Sequence, residues 1–260
     1  MNVMIIPAAG RGTRLSYDGP KLLYPLDGKP LLYYLIERYK PYVDQFVLVI
    51  NPTSEALVLD AMNGLGVNHM IDYQVQATGM LDAITAPMES LRNRDKHEKI
   101  DTVWVSWCDQ VSISAETAKS LQNELSKLAA ESERGYLSEF MALPTAMVKM
   151  PYIHMKRNNQ GNISQVLQRR ESDPMPDIGE NDCGLFAMSG VAYFDALRKF
   201  ASIDQTMGHE TKERNFLPFI AWLNNTAPVS TFPVHSDIET VGINTVEDAK
   251  KILETWEMNS

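Results

Sequence analysis

Apolar residues recur along the chain in two rhythms. Val3–Ala8 is a β-branched apolar run ending at Gly10, which predicts a strand feeding a loop. Similar runs at Phe46–Ile50, Val67–Ile71 and Thr102–Trp107 predict three more strands. Between them, apolar stripes of helical period predict helices over Leu31–Tyr39, Ser54–Asn63 and Met80–Arg92, then a long one over Ser114–Ser132. Pro30 opens the first helix and Pro41 stops it. Apolar strands alternating with helices imply a mostly parallel sheet covered on both faces.

After about residue 135 the rhythm changes. Phe140–Met150 and Asn162–Gln168 read as strands joined by a polar turn at Asn158–Gly161. Leu185–Ser189 is a further strand, followed by a helix over Val191–Phe200. Residues 201–215 read as a polar, mobile loop, Phe216–Asn224 as a helix, Val229–Val234 as extended and Val246–Trp256 as a last helix. No repeat or Gly/Ser linker divides the chain. The expectation is one α/β domain over residues 1–260, Rossmann-like over 1–135 and mixed over 136–260.

Composition narrows the class. The chain has 260 residues, 44% of them apolar, with no run near the roughly 18 apolar residues a spanning helix needs. The first ten residues lack the basic and apolar regions of a signal peptide. A net charge of −9 argues against nucleic-acid and anionic membrane surfaces as partners, but a small anion bound by local donors stays possible. Two cysteines, Cys108 and Cys183, make no disulfide framework and point to a reducing cytoplasm.

The chemistry starts after the first strand, in Ala8-Ala9-Gly10-Arg11-Gly12-Thr13-Arg14, with Lys21 following. Open α/β sheets bind ligands at this place. Gly10 and Gly12 let backbone N–H groups approach a phosphate, and Arg14 and Lys21 add fixed positive charge. The loop suits a triphosphate attacked at its α-phosphorus. Two glycines alone equally fit an ordinary strand-to-helix turn.

The wider order is more specific. After that loop come Pro20-Lys21, Tyr24-Pro25-Leu26 and Gly28-Lys29-Pro30-Leu31. Together they resemble the signature of the sugar-1-phosphate nucleotidyltransferase (pyrophosphorylase) family. The resemblance implies a Rossmann-like nucleotidyltransferase fold. It implies that Ala8, Ala9, Gly10, Arg11, Gly12 and Thr13 wrap an NTP, and that Arg14 and Lys21 are catalytic. Gln74, whose amide can pair with a pyrimidine edge, and Gly79 would read the base. Met80 replaces a small polar residue of the family pattern, which leaves U, T and C open. Asp109, at a strand's carboxyl end, suits a hard cation. The family has Gly-Asp where this chain has Cys108-Asp109. The late Gly242-Ile243-Asn244-Thr245 run resembles the family segment that supplies a second ligand, so Asp109 and Asn244 would hold Mg²⁺. Thr245 and Asp248 also read as an N-cap pair for the last helix.

The acceptor belongs to the middle of the chain. Ile163–Glu171 and Glu180–Phe186 resemble family segments, with Gln168 for the usual Glu and Asp182 for the usual Asn. The resemblance implies acceptor contacts at Gln168, Asp182 and Gly184. Arg169, Arg170, Lys212 and Arg214 are candidates for the acceptor phosphate, or plain surface charge. The five histidines lack metal-ligand spacing. Cys108 reads as a small residue tolerated beside the metal. No hexapeptide β-helix repeats follow the last helix, so no acetyltransferase domain of that kind is expected.

The implied reaction transfers NMP from an NTP to a sugar 1-phosphate and releases pyrophosphate. Phosphocholine, a phosphonate or another small phosphorylated acceptor, served by a cytidylyltransferase, is the alternative. A non-catalytic nucleotide-binding subunit is the alternative of another class.

Overall fold

The structure is a computed structural model describing residues 1–10, 15–203 and 206–258. The first strand, β1 (Asn2–Pro7), is flanked on both sides by parallel neighbours. A two-residue hairpin, β2 (Pro25–Leu26) and β3 (Lys29–Pro30), then leads into helix α1 (Leu31–Tyr39). The helix keeps the bounds its apolar stripe predicts. Next come β4 (Gln45–Ile50), α2 (Glu55–Met62) and β5 (His69–Tyr73).

The helix expected over Met80–Arg92 is two helices, α3 (Met80–Thr85) and α4 (Met88–Asp95). Pro87 accounts for the break, because it has no N–H and its ring clashes with the preceding turn. Then follow β6 (Thr102–Ser106) and α5 (Ala115–Glu131), whose N-terminus is capped by Ser114 Oγ accepting the Thr117 N–H at 3.1 Å.

The second half departs from expectation in its pairing. Strand β7 (Met141–Lys149) joins the large sheet and does not pair with the later strand at Ile163. The partner of β9 (Ile163–Gln168) is an unforeseen strand, β8 (Ile153–Arg157), and the Asn158–Gly161 turn joins these two. Met150 at φ 49° and Pro151 end β7 and start the separate hairpin. The polar strand β10 (Ile178–Asp182) was also unforeseen. It pairs with β7, and its Glu180 receives two hydrogen bonds at 2.7 Å from Arg157 of β8. The remaining elements are β11 (Leu185–Ser189), a helical stretch opening with a π-turn over Ala192–Leu197 and continuing as α6 (Arg198–Ala201), then α7 (Pro218–Asn224), β12 (Val229–Pro233) and α8 (Val246–Met258).

The large sheet has eight strands in the order β10-β7-β11-β6-β1-β4-β5, with β12 also on β7. Strands β1, β4, β5 and β6 are parallel, and β11 runs antiparallel to both β6 and β7. Alternate residues of each strand feed two cores. Met4, Ile6, Leu48 and Trp104 pack with α1 and α5 on one face. Val3, Ile5, Val47 and Val105 pack with α3 and α7 on the other. This is the Rossmann-like α/β architecture, with a mostly parallel centre and a mixed flank. Among the described residues no helix is long and apolar enough to cross a membrane.

A buried carboxylate ties the last segment to this frame. Glu239 is fully buried and accepts N–H groups from Ser114, His235 and Ser236 at 2.9, 3.1 and 3.0 Å. It thereby joins the start of α5 to the chain that leads to α8. Glu239→Ala leaves these donors unpaired and is expected to destabilise the fold by about 2–4 kcal/mol. Thermal and urea unfolding check this, with Glu239→Gln expected to lose less.

Candidate active site

A cleft of about 620 Å³ opens at the carboxyl ends of β1 and β6. Three distant segments meet on one side of it. Lys21 is set by a 3₁₀ turn, Lys21–Leu23, whose Leu22 is fully buried. Its Nζ donates to the Asp109 carboxylate and, at 2.8 Å, to Asn244 Oδ1. Asp109 lies in the turn after β6, and its carbonyl accepts the Ile243 N–H at 2.9 Å. Gln110 Nε2 donates to the Glu239 carbonyl at 2.6 Å, and Ser112 Oγ to that of Val241 at 2.8 Å. Asn244 then opens into α8. Thr245 Oγ1 accepts the Asp248 N–H at 3.2 Å, and Asp248 accepts that of Thr245 at 2.8 Å, the cap read from the sequence.

Of the expected phosphate loop, Ala8 is buried with its N–H on the Val49 carbonyl, Ala9 is half-buried and Gly10 lines the cleft. Arg11, Gly12, Thr13 and Arg14 lie outside the described residues. Gln74 and Gly79 are close together, because Gln74 Nε2 donates to the Gly79 carbonyl at 2.9 Å. Neither is among the residues lining the cleft, whereas Met80 is. Gly79 has φ 127°, and a Cβ there would overlap the Arg214 backbone. Its need for glycine is therefore steric.

Of residues 201–215, expected to be a mobile loop, 204 and 205 lie outside the described residues and 206–215 are pinned. The Arg214 N–H donates to Thr78 at 2.7 Å, and the Arg214 carbonyl accepts from Leu81 at 3.1 Å. Its guanidinium pairs with Asp82 at 2.5 Å. Glu171 accepts the N–H groups of Glu210 and Thr211 and the Thr211 hydroxyl, at 2.9, 3.3 and 2.6 Å. Burial pulls the Glu171 carboxyl upward, but these bonds and Arg170 outweigh it and hold it below its ordinary value.

Of the four acceptor-phosphate candidates, Arg170 alone lines the cleft among the described residues. Arg169 donates to the Pro151 carbonyl and Lys212 to that of His209. Gln168, Asp182 and Gly184 line the same cleft, with Trp107 and Tyr152, which were not singled out from the sequence. Trp107 carries no local signal that sets it apart, since Trp104 three residues earlier is a fully buried core aromatic.

Among the described residues no three His, Cys, Asp or Glu side chains are disposed to hold a metal ion. Asp109 and Asn244 offer two hard oxygen donors. They already share one cation, the Lys21 ammonium, so their chemistry fits a hard divalent ion. Cys108, next to Asp109, is pushed up to about 12, by burial first and by Asp109 second, and is inert as a thiolate nucleophile.

The profile of the family described as "MobA-like NTP transferase domain" matches residues 4–168, well over half of the chain. The chain belongs to that family. The matched span contains Lys21 and Asp109 but stops before Asn244. The chain is 26% identical over 200 residues to the bifunctional protein GlmU of Pseudomonas aeruginosa, covering 76% of this chain and 40% of that protein. It is 24% identical over 246 residues to GlmU of Bacillus cereus, covering 92% and 48%. The chain thus spans less than half the length of these curated relatives. Similar solved structures include 4-diphosphocytidyl-2C-methyl-D-erythritol synthase from Anaerococcus prevotii, at TM-score 0.64 and 14% identity, covering 98% of both chains. HddC from Yersinia pseudotuberculosis follows at 0.63 and 16%, covering 98% and 99%. The chain thus carries an NTP transferase domain of the MobA-like type, and the solved structures carry its fold alone.

The Asp182 carboxyl, at the same cleft, is strongly perturbed. Burial, aided by the nearby Asp109 charge, pushes it up to about 6, although the Gly184 N–H at 2.9 Å favours the ionised form. The folded state therefore holds this proton more tightly than the unfolded chain does. The associated stability is complete below about pH 4 and is lost as pH rises toward 6. Asp182→Asn keeps the acceptor for Gly184 and removes the charge. In EDTA its stability gain over wild type should grow between pH 4 and 6 and level off near roughly 3 kcal/mol at pH 7. Melting across that range checks this, and a gain independent of pH would contradict it.

Proposed function

We propose that this chain transfers NMP from an NTP, a pyrimidine NTP foremost, to a phosphorylated small molecule and releases pyrophosphate. A sugar 1-phosphate is the first acceptor class. The observation carrying this reading is the Lys21 ammonium held between Asp109 and Asn244 at the carboxyl ends of β1 and β6. The acceptor phosphate is anionic at pH 7, so its oxygen attacks the α-phosphorus without a general base. Positioning and charge neutralisation supply the catalysis.

In this reading the backbone from Ala8 to Thr13, with Gln74 and Gly79, holds the nucleotide. Lys21 and Arg14 draw off charge from the departing pyrophosphate. Asp109 and Asn244 are the residues that would hold Mg²⁺, which when bound supplies charge neutralisation at the α-phosphate. Arg170, steadied by Glu213 at 3.3 Å, faces the acceptor phosphate, with Gln168, Asp182 and Gly184 around the rest of the acceptor. Residues 1–260 act as one catalytic unit, nucleotide half 1–135 and acceptor half 136–260. The pairing of β11 with β6 and of Asn244 with Lys21 supports this. Two free cysteines support a reducing cytoplasm.

A second reading has an observation of its own. Gln168 and Asp182 stand where the resemblance has sugar-contacting Glu and Asn, and Trp107 and Tyr152 add aromatic surface. These favour a cytidylyltransferase acting on phosphocholine, a phosphonate or another small phosphorylated alcohol.

Pyrophosphate release with Mg²⁺, four NTPs and a panel of such acceptors tests both readings. One NTP–acceptor pair should turn over. Lys21→Ala and Asp109→Ala should each lower kcat/KM by about 10²–10³-fold. Nucleotide binding without turnover by any pair would instead favour a regulatory subunit, and absence of nucleotide binding would defeat the reading of the first loop.

A further inference from the structure

Most charges lining the cleft have partners. Lys21 meets Asp109, Arg170 meets Glu171 and Glu213, and Asp248 caps α8. Asp182 differs. It is 5% exposed, its Oδ1 takes one hydrogen bond from Gly184, and among the described residues it forms no ion pair. A buried carboxylate without a counter-charge is costly, and a ligand that brings the charge relieves that cost.

An aromatic side chain stands beside it. Gly184 joins the two, since its N–H reaches Asp182 and a Cβ on it would meet the Trp107 indole at 2.6 Å. Trp107 is half-buried and fixed from behind by Phe186 and Phe216, with ring centroids 5.0 and 6.1 Å away. Tyr152, 55% exposed, lines the same cleft.

We propose that this corner takes a positively charged head group. The acceptor is then zwitterionic: a phosphate monoester or phosphonate that also carries an ammonium. This rests on the transferase reading above and names the acceptor's chemical class. A carboxylate beside an aromatic face complements an ammonium through ion pairing and cation–π attraction. Neutral hydroxyls would leave Asp182 without a counter-charge, and an acceptor bearing only phosphate charge would be repelled by it. Two sources share the required chemistry, an aminoalkyl phosphate and an amino-sugar 1-phosphate.

Acceptors matched in shape and differing in charge separate the possibilities. Phosphocholine is compared with 3,3-dimethylbutyl phosphate, and glucosamine 1-phosphate with glucose 1-phosphate. Binding is measured by calorimetry with Mg²⁺ and an α,β-methylene NTP analogue, and turnover by pyrophosphate release. The cationic member of one pair should bind about tenfold tighter or better, and that pair names the source. Asp182→Asn should bring the ratio close to one through the acceptor KM, not the NTP KM, without loss of melting temperature. Trp107→Leu should lower it in the same direction.

Equal binding within both pairs, or no binding by either, overturns the proposal. So does an Asp182→Asn effect that falls equally on charged and neutral acceptors, or one that appears as a raised Mg²⁺ requirement. Selective binding without any pyrophosphate release would remove the transferase reading and leave the cationic site standing.

Discussion

The Lys21 ammonium is shared by two oxygens, on Asp109 and Asn244, that lie 88 and 223 residues away in the chain. Both Lys21 and Asp109 keep under a fifth of their side-chain surface exposed, so their pair is screened less than a surface ion pair. The ammonium does not act alone. The Asp109 carbonyl, the Gln110 amide and the Ser112 hydroxyl each bind the backbone between Glu239 and Ile243. Buried Glu239 then fixes that backbone to α5. The late segment is thus part of the same construction as the end of β6, and Asn244 is placed by backbone before its side chain meets Lys21.

A second constraint runs along the other side. Glu171 gathers the N–H groups of Glu210 and Thr211, and Arg214 continues that chain onto Thr78 and Leu81. Gly79 permits this close approach because it has no Cβ. One segment therefore touches both the loop before α3 and the arginine next to Glu171. A polar stretch that looks unconstrained in sequence is held by groups whose partners lie tens of residues away.

That difference explains what the sequence makes legible. The parallel strands and α1 follow from local apolar rhythm, and their limits agree within a few residues. Thr245 caps its helix through a neighbour in sequence, so it too is readable. The misreadings have other causes. Pro87 interrupts a helix inside an apolar stripe whose period continues past it. β8 follows a Pro151 break and alternates too briefly to stand out, and β10 is polar because Glu180 meets Arg157 and not the core. In the candidate site, Lys21, Asp109 and Asn244 were legible because order along a known pattern substitutes for distance. Gln110, Ser112, Glu239 and Glu171 were not, since each acts on a carbonyl or N–H that no residue type reveals.

The chain's net charge of −9 sets a problem for any anionic substrate. A long-range field of that sign repels phosphates, so attraction must be local and short-ranged. Among the described residues Lys21, near the carboxyl ends of β1 and β6, and Arg170, lining the same cleft, supply it. Both cations are already steadied by a carboxylate, which limits the net positive charge at the cleft. Asp182 differs, since among the described residues it steadies no cation. A ligand that carries both signs of charge resolves both demands together, because its phosphate meets Lys21 and Arg170 while its opposite charge meets Asp182, which among the described residues forms no ion pair.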